Sequence, residues 1–199
     1  MAQARVKARA PRGESVFRER FSVFAECLLT GVWIAVACLG VVTYPAAFAA
    51  GARHLRRRTG HRAGGLREFV VDFRTAVRGG WLVGLAGWAV AGAVWVDVLA
   101  ARAGLPGGPF AGAVGLFALI GAVVALLRAS AVWAPGATWR ALLATAGRRT
   151  VLDPAGSFLV VCGLVVVALS AWFVPPLAVP VLGAVAAAAV AVEERYGHR

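Results

Sequence analysis

The stretch from Gly40 to Arg58 reads GVVTYPAAFAAGARHLRRR, and it decides how the chain folds. It closes a long apolar run, interrupts that run at Pro45, and continues into the densest positive charge of the sequence. Proline lacks a backbone N–H and disfavours helical geometry at the preceding residue, so a helix break is expected at Tyr44–Pro45. The apolar segment 46–52 that follows is long enough for only half of a membrane crossing. The stretch therefore predicts a first span that breaks and is followed by a basic segment.

The composition of the whole chain indicates a membrane protein. Hydrophobic residues make up 60% of its 199 residues, and the mean hydropathy is +0.77. A water-soluble domain of this size has too few polar residues to cover so much apolar surface. The sequence therefore predicts an all-α, polytopic membrane helix bundle with about five transmembrane helices, a half-helix broken at Pro45 and amphipathic helices on the cytoplasmic side.

Prolines and charged residues divide the apolar sequence into segments. The predicted spans are residues 24–44, 81–101, 110–130, 155–174 and 177–192. Residues 1–20 are expected to form a basic N-terminal tail with an interfacial lead-in helix, and residues 21–199 a single transmembrane domain. Amphipathic helices are predicted at 66–78 and 137–149. In the first of these, Leu66, Phe69 and Phe73 share one face, and we expect this helix to lie on the membrane surface or to dock a partner protein.

The distribution of positive charge predicts the orientation. The formal net charge is +12, and the basic residues concentrate in segments 51–80 and 128–153. Cytoplasmic loops of membrane proteins carry an excess of Lys and Arg, which places these segments and the C-terminus in the cytoplasm of a cell-membrane protein. The tail of residues 1–20 is also basic, so we expect the broken helix to return the chain to the cytoplasmic side. Anionic lipid headgroups explain this charge better than nucleic acid does.

A few polar residues fall within or beside the predicted spans and are candidates for a functional role. Asp97 either lines a pathway or forms an interfacial ion pair with Arg102. Arg128, at the cytoplasmic end of the third span, is expected to pair with Glu26 in the first. His54 and His61 are expected to be solvated residues of a basic loop.

Two further sets of residues complete the candidates. The helix break makes Gly40, Tyr44 and Pro45 candidates for a structural or functional role. The arginines of the basic segments are candidates for contact with lipid headgroups or a partner protein: Arg56, Arg57, Arg58, Arg67, Arg74, Arg78, Arg148 and Arg149. No catalytic motif is recognisable, so the sequence predicts no enzyme, no cofactor and no metal site.

Around the break the sequence resembles the YesL-like membrane proteins of bacteria. Gly40 is followed by Thr43-Tyr44-Pro45-Ala46 and a basic run, which is similar to the family's approximate motif G-x-x-x-x-P-A-T-x-A. Ala47 stands where the family has threonine. The pair Phe69 and Phe73 also resembles an aromatic segment of that family. The resemblance implies about five spans and an association with carbohydrate-uptake transporters, but no established activity.

Two functions follow from these observations. The first is an accessory or scaffold protein whose arginine-rich helices engage transporter permease subunits or anionic lipid. The second is a small transporter or channel with a pathway near the Pro45 break and Asp97. A recurrence of Arg-Arg-Thr after Pro45 and after Pro135 would fit the internal repeats of transporters. The sequence leaves the formation of homo-oligomers open.

Overall fold

The computed structural model describes residues 12–60 and 64–197, and these contain seven α-helices and no β-strand. The helices are α1 (Arg12–Cys38), α2 (Tyr44–Thr59), α3 (Leu66–Arg102), α4 (Gly108–Val132), α5 (Trp139–Leu152), α6 (Pro154–Phe173) and α7 (Pro175–Gly197). The predicted all-α helix bundle is confirmed. Most of the predicted basic tail, and His61, lie outside the described residues.

Four of these helices, α3, α4, α6 and α7, are long and apolar enough to cross a membrane. Their outward faces carry large apolar side chains that are mostly exposed, such as Phe117 on α4 and Phe158 and Trp172 on α6. Such a surface is favourable in lipid and unfavourable in water. The predicted third, fourth and fifth spans correspond to α4, α6 and α7. The predicted first span corresponds to α1, whose apolar part, Phe24–Cys38, is shorter than the other four.

The longest helix, α3, joins two segments that were expected to be separate. Its 37 residues include both the predicted amphipathic helix 66–78 and the predicted span 81–101. A helix of this length measures roughly 55 Å, against a hydrocarbon core of about 30 Å, so its first part extends beyond the membrane. The expectation that residues 66–78 lie flat on the membrane surface is therefore wrong. The helix continues through Gly80, because that glycine leaves room for the ring of Trp139, whose indole N–H donates to the Ala76 carbonyl at 3.1 Å.

Helices α1 and α2 form an antiparallel hairpin with its tip at residues 39–43. The Thr43 hydroxyl donates to the Ala37 carbonyl at 2.7 Å and so satisfies one of the last carbonyls of α1. Pro45 lies in the first turn of α2, where a missing backbone N–H has no cost. The helix break therefore precedes Pro45, and the turn uses Val41, with φ of 55°, rather than Gly40 for its left-handed residue.

The tip of this hairpin packs against the middle of α3. The Trp88 indole N–H donates to the Val41 carbonyl at 3.0 Å, and a Cβ added at Gly84 would overlap the Val42 carbonyl. Gly84 is the central residue of α3, and the remaining half of the helix corresponds to roughly 27 Å. The α1–α2 hairpin thus stops well short of the turn that joins α3 to α4.

Helix α2 forms the centre of the bundle and packs on α1, α3, α4 and α7. Its small residues are almost completely buried: Ala46, Ala47, Ala49, Ala50, Gly51 and Ala52. Small side chains allow neighbouring helices to approach closely, which is the main source of packing between helices in membranes. The half-length apolar segment predicted from the sequence is therefore the core of the molecule.

Candidate functional site

Most charged side chains of the described residues gather at one end of the bundle, which we call the basic end. It consists of the end of α2, the start of α3, the end of α4 with α5 and the start of α6, and the end of α7, and Glu26 of α1 contacts it. Two contacts tie these elements together. Arg56 donates to the Trp133 carbonyl after α4, and Arg128 of α4 pairs with Glu193 of α7. The basic end contains three groups of ionic contacts.

The first group, the Arg128 cluster, comprises Arg128, Arg149, Asp153, Ser157 and Glu193. Arg128 is fully buried, and its guanidinium donates to Glu193 at 2.6 Å, to Asp153 at 3.2 Å and to the Ser157 hydroxyl at 3.2 Å. Arg149 donates to the second oxygen of Glu193 at 2.6 Å. Two arginines and two carboxylates therefore balance each other.

The second group joins the two helices of the hairpin through Glu26, His54 and Arg58. His54 is fully buried, with Nε2 3.3 Å from one Glu26 oxygen and its ring edge-on to Trp33, while Arg58 pairs with the other Glu26 oxygen. The expectation that His54 is solvated is wrong, because α2 turns it into the core. The expected pair between Arg128 and Glu26 is also wrong, since each has partners of its own.

The third group, the arginine pocket, is a cavity of about 340 Å³ lined by Arg53, Arg56, Arg57, Gly60 and Ala134. Its inner carboxylate is Asp72 of α3, which is buried and lies 3.0 Å from Arg57 and 3.5 Å from Arg53. Burial and the neighbouring Arg53 lower the pKa of Arg56, and Glu194 and Asp72 only partly oppose this. Asp72 therefore contacts two of the three arginines that line the pocket.

The residues at the helix break border an apolar groove of about 200 Å³. Tyr44 lies at this groove, and the other lining residues come from α3, α4 and α5: Val83, Ala86, Gly87, Val90, Leu119, Ala122, Val123, Leu126 and Leu143. Such a lining fits a lipid chain better than a hydrated ion or a sugar.

Asp97 is not part of this groove. It lies almost three turns beyond Gly87, which is roughly 15 Å along α3, and its carboxylate faces Gly115 of α4. The residues described include no ion pair between Asp97 and Arg102. The structure thus does not bring Asp97 and the Pro45 break together into one pathway.

The eight candidate arginines divide into two halves. Four make contacts within the protein: Arg56, Arg57, Arg58 and Arg149. The other four have exposed side chains at the basic end: Arg67, Arg74, Arg78 and Arg148. Arg58 is also exposed, so five of the eight present charge outward as the sequence led us to expect.

Asp72 and Glu193, the acidic partners of Arg57 and Arg149, were missed from the sequence, although a signal for both exists. Asp72 stands three residues after the buried Phe69 and four before the buried Ala76, so it belongs to the inward face of α3. Glu193 follows the buried Ala189 at the same spacing on α7. An acidic residue in register with a buried stripe is expected to face the core and to need a cation there.

Comparison of the chain with protein-family models, with curated protein sequences and with solved structures finds no match. Fold and composition define the chain as a membrane protein with four helices of membrane-spanning type. The resemblance to YesL-like proteins stays a prediction.

Proposed function

We propose that this protein is a multi-span accessory or scaffold protein of the cell membrane, associated with a carbohydrate-uptake transport system. The observation that carries the proposal is the division of its charges. Polar groups at the centre of the basic end pair with one another, while Arg67, Arg74, Arg78 and Arg148 remain exposed. An exposed basic surface fits an acidic surface on transporter permease subunits. The association with carbohydrate uptake rests on the resemblance to YesL-like proteins.

The proposed orientation places the basic end in the cytoplasm. Four spans return the chain to the side on which α3 begins, and a hairpin that stops at the middle of α3 enters and leaves on that same side. Both termini then lie with the arginines, as the positive-inside tendency favours. Reporter fusions at each terminus test this orientation, and an external signal from either one would contradict it.

A transporter or channel remains the alternative function. The buried alanines of α2 leave little room beside the helix break, and the groove there is apolar. Asp97, the remaining candidate for a polar pathway, lies apart from it. These features favour the accessory role over transport.

The experiment is affinity purification of the full chain from native membranes after cross-linking, with identification of captured proteins by mass spectrometry. We expect permease subunits with the unchanged chain and at least about tenfold less capture when Arg67, Arg74, Arg78 and Arg148 become glutamine. A matched variant with lysine at the four positions keeps the charge and should retain most of the capture. Absence of permease subunits from every preparation would refute the proposal. Uptake by reconstituted liposomes that is abolished by Asp97→Asn would favour the alternative.

A further inference from the structure

The apolar groove beside the helix break lies near the centre of the bilayer. It has a volume of about 200 Å³ and is lined mainly by α3 and α4, both long and apolar enough to span the membrane. Leu119 and Ala122 line it on either side of Ile120, the central residue of the 25-residue helix α4. Ala122 and Val90 are exposed lining residues, so the groove opens toward the lipid chains.

The hydroxyl of Tyr44 lies at this groove. Gly87 is a lining residue too, and a Cβ added at Gly87 would overlap the Tyr44 hydroxyl. The missing side chain of Gly87 therefore leaves room for the hydroxyl beside α3. All other lining residues have apolar side chains, so this hydroxyl is the one polar side-chain group among the described residues of the groove.

The Tyr44 hydroxyl has no hydrogen-bond partner among the described residues. Unlike Nδ1 of His54, it is not one of the unpaired polar atoms that are sealed from the surface, so it remains accessible from the groove. A hydroxyl without a partner costs free energy in an apolar environment. A trapped water molecule would need about two to four polar partners, and the lining side chains offer one.

Ordinary phospholipids do not supply the missing acceptor. Their ester carbonyls lie at the edges of a hydrocarbon core about 30 Å thick, which is roughly 15 Å from its centre. A volume of 200 Å³ is also below the range of about 300–1,000 Å³ that is typical of sites for drug-sized ligands. The groove therefore fits one small ring or a short chain segment that carries an acceptor oxygen to the bilayer centre.

We propose that this groove binds an uncharged, lipid-soluble molecule with a carbonyl oxygen, of the class of quinones that carry a hydrocarbon tail. Tyr44 donates a hydrogen bond to the carbonyl, and the apolar side chains of α3 and α4 contact the ring. This inference goes beyond the accessory function and does not depend on it, since it requires only that α3 and α4 span the membrane.

The test compares two probes with the same tail, 2-decyl-1,4-benzoquinone and decylbenzene, on the purified full chain in dodecyl maltoside. Binding of the quinone is followed by quenching of tryptophan fluorescence, and decylbenzene is measured by competition. Both concentrations are expressed as mole fractions in the micelle, so that partitioning does not enter the comparison. We expect the quinone to bind about three- to tenfold more tightly, which is the gain from one hydrogen bond.

Tyr44→Phe removes the hydroxyl and keeps the ring. It should weaken binding of the quinone by about three- to tenfold and change binding of decylbenzene by less than about twofold. The chain has two tyrosines, and the second provides the matched control. Tyr196→Phe, at the basic end, should change the affinity for either probe by less than about twofold.

A second pair of variants tests the place of binding and decides it alone should Tyr44→Phe fail to fold. Ala122→Leu adds bulk inside the groove and should weaken binding of both probes by about tenfold or more. Ala113→Leu makes the same change at an exposed position of α4 outside the groove and should have less than about a twofold effect.

Equal affinities of the two probes for the unchanged chain would overturn the proposal, as would equal losses of both in Tyr44→Phe. Equal losses in Ala122→Leu and Ala113→Leu would show that the probes report on the micelle, and this too would refute the groove as the site. Tyr44→Phe should leave the capture of permease subunits unchanged, because that capture depends on the exposed arginines. The two proposals therefore fail independently.

Discussion

The Arg128 cluster and the arginine pocket lie at the same end of the bundle and use the same kind of side chain, yet they differ in balance. In the Arg128 cluster, two arginines pair with two carboxylates, and each of these four groups has a partner of opposite charge. In the pocket the buried Asp72 contacts Arg53 and Arg57, and one Nη atom of each arginine and Asp72 Oδ2 make no hydrogen bond within the described residues. The first arrangement holds α4, α6 and α7 together. The second borders an open cavity of about 340 Å³ that is lined by guanidinium groups.

The largest effect is expected in the balanced cluster. Arg128→Met leaves Glu193 and Asp153 without their buried cation, and breaking such a pair costs about 3–5 kcal/mol. The thermal unfolding midpoint and the yield of folded protein in detergent should both fall sharply. Arg148→Met removes an exposed arginine of the same end and should cost less than about 0.5 kcal/mol. Similar midpoints for the two variants would contradict the structural role of Arg128.

A smaller loss of stability, which leaves cations rather than anions unpaired, is expected in the arginine pocket. Asp72→Asn removes the buried carboxylate that contacts Arg53 and Arg57, which should lower the free energy of unfolding by about 1–3 kcal/mol. Because the remaining groups are cations beside an open cavity, added inorganic phosphate or phosphatidylglycerol should restore part of the midpoint. The same additions should not restore Arg128→Met, whose unpaired groups are anions. Equal responses of both variants to phosphate would remove the distinction between the two regions.

Loss of the hairpin contact through Glu26 should lower the stability less than either Arg128→Met or Asp72→Asn does. Glu26→Gln weakens contacts to His54 and Arg58, and because its side chain is about one quarter exposed we expect a loss of about 1 kcal/mol. The measurement is the unfolding midpoint in detergent, with Arg74→Gln as an exposed control on α3. A loss as large as that of Arg128→Met would mean that the hairpin, rather than α4 and α7, anchors the basic end.

The smallest expected effect lies at the far end of the hairpin, where Val41 has a φ of 55°. A β-branched residue loses roughly 1–2 kcal/mol in this left-handed region, and glycine recovers most of this at some cost in chain entropy. Val41→Gly should therefore stabilise the protein by about 0.5–1 kcal/mol. Val42→Gly, at a residue without positive φ, should destabilise it. A loss of stability in Val41→Gly would show that its side chain is needed at the tip.

Much of the fold could be predicted from the sequence, because long apolar runs bounded by proline and glycine leave few alternatives. The predicted boundaries of α4 and α6 agree with the structure within about two residues. The continuity of α3 could not be predicted, since Gly79-Gly80 resembles a break. It remains helical because Trp139, about 60 residues later, packs against those glycines.

The site was predicted only in part. The run of arginines after Pro45 indicated where positive charge accumulates, and five of the eight candidate arginines are exposed at that end. Which arginines face inward depends on carboxylates at 26, 72, 153 and 193, which are far apart in the chain and are brought together only by packing. Helix register would have identified Asp72 and Glu193 as inward-facing, but not the arginine that each one meets.

The central position of α2 has a consequence for how the protein is made. Its buried alanines lie against helices synthesised later, including Ala131 of α4 and Ala189 and Val190 of α7. The hairpin leaves the ribosome before α3, α4 and α7, yet it has no complete set of these neighbours until α7 has been inserted. During translation the small-residue faces of α2 therefore lack part of their packing partners. The docking of α7 completes the bundle around a helix that was synthesised more than a hundred residues earlier.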